Sequence, residues 1–94
     1  MPALSERDFM RQVMDVAHIF GWTVYHPALS KWSERGFPDM TMVRRDRLVF
    51  AELKRQTGKT SEHQDRWLAL LRATPVEVYL WRPSDLNDIA SILR

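Results

Sequence analysis

Cysteine is absent from the 94-residue chain, and its absence excludes several kinds of chemistry. Without a thiol there is no disulfide framework, no thiolate zinc site and no cysteine nucleophile. No hydrophobic run is long enough to cross a membrane, and Met1 to Glu6 lacks the basic-then-apolar layout of a signal peptide. We therefore expect a cytoplasmic protein that does not associate with membranes.

A strong excess of charge is missing as well, because the formal net charge is only +2. With 45% hydrophobic and 28% charged residues, the composition is that of a globular protein, and the length suits one hydrophobic core. The sequence therefore predicts a single domain over residues 1–94. Between Arg44 and Lys59 six basic residues face two acidic ones, which suits either an anionic partner or a solvated strand edge and loop.

Hydrophobic periodicity divides the chain into seven elements in the order αβββαβα. Ser5 begins an N-cap pattern ahead of the first helix, and Ser61 with Gln64 forms a capping-box pattern ahead of the second. The predicted elements are a helix over residues 6–20, strands over 22–26, 39–44 and 48–54, a helix from 62, a strand over 76–81 and a final helix carrying Leu86, Ile89, Ala90 and Leu93.

The connections between strands predict the sheet. Residues 45–47 are a link short enough for a hairpin, so the strands over 39–44 and 48–54 should pair antiparallel. The strands over 48–54 and 76–81 are joined through a helix, and a right-handed crossover makes them parallel neighbours. The expected fold is therefore an α/β, or α+β, domain with a mixed sheet.

Two acidic residues and a lysine converge in this arrangement. Asp39 opens one strand of the hairpin and Glu52 closes the next, so both lie at one end of the sheet. Strand alternation places Glu52 and Lys54 on one face, with Leu53 on the other. Glu52 and Lys54 also interrupt an otherwise apolar run, and polar groups set against a core need a partner or a function.

Paired carboxylates indicate a metal site. Two carboxylates a few Å apart repel each other unless a cation lies between them, and oxygen ligands suit Mg²⁺ or Mn²⁺ better than zinc. We expect Asp39 and Glu52 to bind the cation, with the backbone carbonyl of Leu53 completing its coordination. The ammonium of Lys54 is suited to orienting a water molecule or stabilising developing negative charge.

Structural interpretations of the same residues stay open at this point. Glu52 and Lys54 fit a surface cross-strand ion pair, and Asp39 fits the cap of a turn after proline. The spacing of these residues does not separate the structural interpretation from the catalytic one.

Several segments together resemble the VRR-NUC branch of the PD-(D/E)XK nucleases. The resemblance covers nearly the whole chain in motif order, spacing and predicted secondary structure. It implies a restriction-endonuclease-like αβββαβ core, followed here by a C-terminal helix. The segments that carry it are Gly36-Phe37-Pro38-Asp39, Phe50-Ala51-Glu52-Leu53-Lys54, Ser61-x-x-Gln64 and Val76-Glu77-Val78-Tyr79-x-Trp81-Arg82-Pro83.

The resemblance implies a DNA endonuclease that requires Mg²⁺ or Mn²⁺. It adds Glu6 as an acid of the first helix that faces the metal, and Gln64 as a glutamine of the second helix near the site. Structural interpretations again stand beside these roles, because Glu6 stabilises a helix dipole and Gln64 completes a capping box. Small stand-alone members are typically homodimers of bacteria or phages, which suits cleavage of duplex or branched DNA such as a four-way junction.

Basic residues near the motif are candidates for phosphate contacts. Trp32 fits stacking on a base as well as pinning its loop to the domain. Two other functions compete with the nuclease: a non-catalytic nucleic-acid-binding module that keeps the fold, and an interaction domain that uses Trp and Met residues. The candidate phosphate contacts are Lys31, Arg35, Arg55 and Lys59, within a wider set that includes Arg44, Arg45 and Arg47.

Overall fold

The structure, a computed structural model, describes residues 4–27 and 34–94. Its elements follow the predicted order αβββαβα, with a short 3₁₀ turn over Pro83–Asp85 before the last helix. The elements are α1 (Glu6–Ile19), β1 (Thr23–Tyr25), β2 (Met40–Arg44), β3 (Arg47–Leu53), α2 (Glu62–Arg72), β4 (Glu77–Trp81) and α3 (Leu86–Leu93).

Helix α1 is capped at its N-terminus by Ser5 and packs one apolar face against the sheet. The side chain of Ser5 accepts a hydrogen bond from the backbone N–H of Asp8 at 3.1 Å, which satisfies one of the helix's free donors. Phe9, Val13 and Ala17 recur every four residues and are fully buried against the sheet. No helix among the described residues is long and apolar enough to cross a membrane.

The four strands form one mixed sheet in the order β1-β2-β3-β4. Strands β1 and β2 and strands β2 and β3 pair antiparallel, whereas β3 and β4 pair parallel, as the helical crossover predicts. Met40 lies opposite Ala51 in the β2–β3 register. The start of β2 therefore lies beside the end of β3, which is the condition for the predicted site.

The hairpin turn is one residue shorter than predicted. Arg47 belongs to β3 and pairs with Arg44, so Arg45 and Asp46 alone form the turn. Arg45 has a φ of 56°, the left-handed conformation that two-residue hairpin turns favour. At the other end of the sheet both strands are shorter than predicted, because β2 begins after Asp39 and β3 ends before Lys54.

Both faces of the sheet are covered. Val49, Ala51 and Leu53 point to one face, where they join buried residues of α1 and α3 in the main core. The alternate residue Phe50 points to the other face, where its ring meets Phe37 edge-on. The ring of Phe37 also packs edge-on against Trp67 of α2, so α2 covers this second face. At the end of β3, Ala51, Glu52 and Leu53 are buried although their side chains point to alternate faces.

Arg44 joins the β2–β3 hairpin to the C-terminal ends of α1 and α3 by hydrogen bonds. Its guanidinium donates hydrogen bonds to the carbonyls of Phe20 at 2.9 Å and Leu93 at 2.8 Å, at the C-terminal ends of α1 and α3. The guanidinium also lies over the ring of Trp22, whose indole N–H donates to the same Leu93 carbonyl. A cation there satisfies free carbonyls and favours the negative end of each helix dipole.

Gly36 brings the segment before β2 against the start of α2. Its φ of +87° is a conformation that glycine adopts without steric cost. A Cβ atom at this position would lie 2.5 Å from the carbonyl oxygen of His63 and 2.7 Å from the backbone nitrogen of Gln64. The chain therefore passes α2 at a distance that only glycine permits, and this approach sets the path of Phe37 and Asp39 into the sheet.

A matched pair of glycine substitutions tests this close approach. Gly21 has a similar φ of +81°, but a Cβ atom there would meet nothing within 4 Å. Gly21→Ala and Gly36→Ala should each lose about 1 kcal/mol from the left-handed backbone, and only Gly36→Ala should lose a further ~1–3 kcal/mol from overpacking. Urea unfolding measures both losses, and equal losses would contradict the close approach.

Candidate active site

Asp39 is held at the site by the backbone of the neighbouring strand. Its Oδ2 accepts a hydrogen bond from the N–H of Leu53 at 2.8 Å. Strand β2 begins only at Met40, so the carboxylate replaces the strand partner that this N–H would otherwise lack. The bond joins residues 14 apart in sequence. Asp39 is therefore engaged across the sheet, and the alternative in which it caps a local turn is wrong.

Glu52 is the one charged residue within the buried set of the described chain, with 1% of its surface exposed. As an ionised carboxylate, Glu52 has no hydrogen-bond donor at either oxygen. Burial, then a hydrogen bond through which the protonated Glu52 shares its proton with Asp39, and then the charge of Asp39 raise the pKa of Glu52 from 4.5 to about 9; Lys54 acts in the opposite direction and Glu6 adds to the rise. Without a cation, this carboxyl therefore holds its proton at neutral pH.

Lys54 and Glu6 lie near the Glu52 carboxyl. The Lys54 ammonium lies 3.9 Å from Oε1 of Glu6, with side-chain exposures of 14% and 51%. The backbone N–H of Lys54 donates to the carbonyl of Trp81 at 3.0 Å, which fixes the residue although β3 has ended. The alternative of a surface ion pair between Glu52 and Lys54 is wrong, because Glu52 is buried and the ion pair of Lys54 is with Glu6.

The donor set fits a hard divalent cation. The buried Glu52 lies beside the half-buried Asp39, and as a carboxylate Glu52 has no hydrogen-bond donor, which is a costly arrangement unless a proton or a cation is present. Within residues 4–27 and 34–94, no group of three or more His, Cys, Asp or Glu side chains is arranged to hold a metal. Asp39 and Glu52, with the predicted Leu53 carbonyl and water, would therefore form an oxygen-only set of the kind Mg²⁺ accepts.

Gln64 performs the capping role that its spacing predicts. Its Oε1 accepts a hydrogen bond from the backbone N–H of Ser61 at 2.9 Å, and its own N–H donates to the Ser61 hydroxyl at 3.2 Å. These reciprocal bonds form a complete capping box at the start of α2. A role for Gln64 at the metal site stays a prediction.

The basic candidates divide between the two ends of the sheet. Arg55 and Lys59 are exposed on the loop that directly follows Lys54, and Arg35 is exposed in the turn before Gly36. Lys31 and Trp32 lie outside the described residues. Arg44, Arg45 and Arg47 belong to the hairpin end, where Arg47 forms two bonds of 2.7 Å with Glu77.

Arg82 is a residue near the site that sequence reasoning missed as a functional candidate. Its guanidinium reaches the loop after β3, where it contacts the backbone carbonyls of Arg55 and Gly58, each at 2.7 Å. The strand topology could have predicted its position near the site. Arg82 directly follows β4, and the carboxyl ends of the parallel strands β3 and β4 lie at the same edge of the sheet.

Two solved structures share this α+β fold. One, described as "VRR_NUC domain", has a TM-score of 0.77 and 18% identity, covering 92% of this chain and 94% of that one. The other, "VRR_NUC domain protein", has a TM-score of 0.74 and 14% identity, covering 98% and 87%. No protein-family model and no curated protein matches the sequence. The chain has the fold of the VRR_NUC domain, which confirms the fold that the resemblance implies.

The stability of the metal-free protein should depend on the proton of Glu52. Folding raises the pKa of this carboxyl from 4.5 to about 9, so the folded state binds the proton more tightly than the unfolded chain. Glu52 therefore costs no stability below about pH 4.5, and its cost grows as the pH rises toward 9. We expect the free energy of unfolding in EDTA to fall over this interval.

Glu52→Gln provides the comparison for this prediction, because an amide of similar shape does not ionise. In EDTA the variant should be more stable than the wild type at pH 8, and its stability should vary less between pH 5 and pH 8. Glu62→Gln, at an exposed position of α2, should follow the wild type. The same pH slope in Glu52→Gln and wild type would contradict the assignment.

Proposed function

We propose that the protein is a divalent-metal-dependent nuclease that hydrolyses phosphodiester bonds in DNA. The observation that carries the proposal is the buried Glu52 carboxylate, whose two oxygens lack partners beside Asp39. Natural proteins keep such a charge where it has a function, since an unpaired buried carboxylate destabilises the fold. The likeness to two VRR_NUC structures supports the same class of enzyme.

Each residue of the site has a role in this proposal. Asp39, Glu52 and the Leu53 carbonyl would hold Mg²⁺ or Mn²⁺, with Glu6 as a further predicted ligand. When bound, the cation supplies a Lewis acid that withdraws electron density from the phosphate and from the attacking water. Lys54 orients that water and stabilises the negative charge that develops on the phosphate. Its ion pair with Glu6 positions the ammonium near the carboxylates.

DNA is the proposed substrate, duplex or branched. Arg35, Arg55 and Lys59 offer exposed cations around the site, and the predicted Lys31 would extend this set. A homodimer in the cytoplasm of a bacterium or a phage-infected host belongs to the same proposal. Two active sites in one dimer would suit a four-way junction, which presents two strands for cleavage.

Cleavage assays test the proposal directly. Purified protein with Mn²⁺ should cut labelled duplex, flap or four-way-junction DNA, and EDTA should abolish the activity. Asp39→Ala and Lys54→Ala should each lower the rate about 100-fold or more, since each removes a group that acts on the transition state. Arg72→Ala removes an exposed cation from the far end of α2 and should cut at nearly the wild-type rate.

The outcome also separates the nuclease from the non-catalytic alternative. Metal-independent DNA binding with no cleavage of any substrate would favour a binding module. Asp39→Ala or Lys54→Ala cutting as fast as wild type would exclude this active site. Sedimentation velocity of the same sample measures whether the protein is the proposed dimer.

Calorimetry with Mn²⁺ tests the ligands apart from catalysis. Asp39→Asn retains an oxygen that accepts the Leu53 hydrogen bond but removes the negative charge, so we expect the variant to fold and to lose the binding heat. Glu6→Gln should weaken binding less, because Glu6 is half-exposed and already paired with Lys54. An undiminished heat in Asp39→Asn would place the cation elsewhere.

A further inference from the structure

The loop between β3 and α2 is fastened to the end of β4 by one guanidinium. Nη1 of Arg82 donates to the carbonyls of Arg55 and Gly58, each at 2.7 Å, and lies 3.4 Å from the carbonyl of Gln56. The N–H of Gly58 donates to the Arg55 carbonyl at 3.1 Å, which closes the loop into a turn around this nitrogen. Arg82 thus adds a second donor to the Arg55 carbonyl, which already closes the turn, and supplies a donor to the Gly58 carbonyl.

Two hydrogen bonds between uncharged groups also join the same two segments. The side-chain amide of Gln56 donates to the hydroxyl of Ser84 at 3.0 Å and accepts from the backbone N–H of Ser84 at 3.0 Å. Asp85 in turn accepts from the backbone N–H of Arg82 at 2.8 Å, which holds the base of the arginine. Two independent side chains therefore fix the loop at its middle.

The fastened loop carries cations that lie near the candidate active site. Arg55 directly follows Lys54, Lys59 follows Gly58, and both side chains are exposed. Exposed cations on a mobile loop lose conformational entropy when they bind a phosphate backbone, and fixing the loop beforehand lowers that cost. Backbone carbonyls of residues 55–58 accept hydrogen bonds from Arg82, which lies on the β4–α3 connection.

We infer that Arg82 is a positioning residue for substrate binding: it holds the loop of residues 55–59 so that Arg55 and Lys59 meet the DNA backbone. The inference rests on the proposed function and assigns a role to a residue outside the metal site. Arg82 acts here through backbone carbonyls, and its positive charge is not itself the phosphate contact.

DNA affinity measured by fluorescence anisotropy in Ca²⁺ tests this role. Arg82→Gln should weaken binding to a labelled duplex about tenfold, because the ordering cost of two side chains returns to the binding step. Gln56→Ala should weaken binding in the same direction with no change in charge, and Arg72→Ala should bind like wild type.

A double-mutant cycle separates positioning from direct contact. In an Arg55→Ala, Lys59→Ala background the Arg82→Gln substitution should add almost no further loss, because the side chains that it positions are gone. A full additional loss in that background would overturn the inference in favour of a phosphate contact by Arg82.

Hydrogen exchange in the DNA-free protein supplies a readout that does not depend on the substrate. The amide of Gly58 should exchange faster in Arg82→Gln, while amides of the core strand β3 keep their protection. Unchanged exchange of Gly58 would overturn the inference. If the wild type cuts DNA but Arg82→Gln binds equally well, only this inference fails. If the wild type neither binds nor cuts DNA, the proposed function fails and the role of Arg82 with it.

Discussion

The burial of one carboxylate at the end of β3 is the constraint on which the rest of the structure depends. Glu52 is buried beside Asp39, its ionised form has no hydrogen-bond donor at either oxygen, and its pKa is raised to about 9. A domain with one small core gains only a modest free energy from folding, so this burial removes a substantial part of it. The cost arises because the end of the strand that carries Glu52 is buried.

The sheet and its surrounding segments then converge on that carboxylate. The β2–β3 register places Asp39 beside Leu53, and the close approach of Gly36 to α2 guides the chain to that point. Helix α1 places Glu6 where it forms an ion pair with Lys54. Segments distant in sequence thus bring Asp39 to the buried Glu52 at one end of β3, with Lys54 and its partner Glu6 beside them.

Much of this arrangement was predictable from local pattern. Alternation and a short link give the hairpin, and the hairpin alone brings Asp39 to the end of β3. The depth of Glu52 was not predictable, because it depends on α2 and on the packing of Phe37 over the second face. The roles of Arg44 and Arg82 were hidden for a similar reason: a cation that binds backbone carbonyls has the same sequence signature as one that binds phosphate.

The hydrogen bond from Arg44 to Leu93 makes the last helix, α3, a required part of the folded domain. The αβββαβ core ends with β4, yet the guanidinium and the Trp22 indole both donate to the carbonyl of Leu93 in α3. Without that helix, two buried or half-buried donors would lose their acceptor and one face of the sheet would lose its cover. Any transplant of this domain onto another protein must therefore carry α3 with it, because the helix closes the end of the molecule opposite the carboxylates.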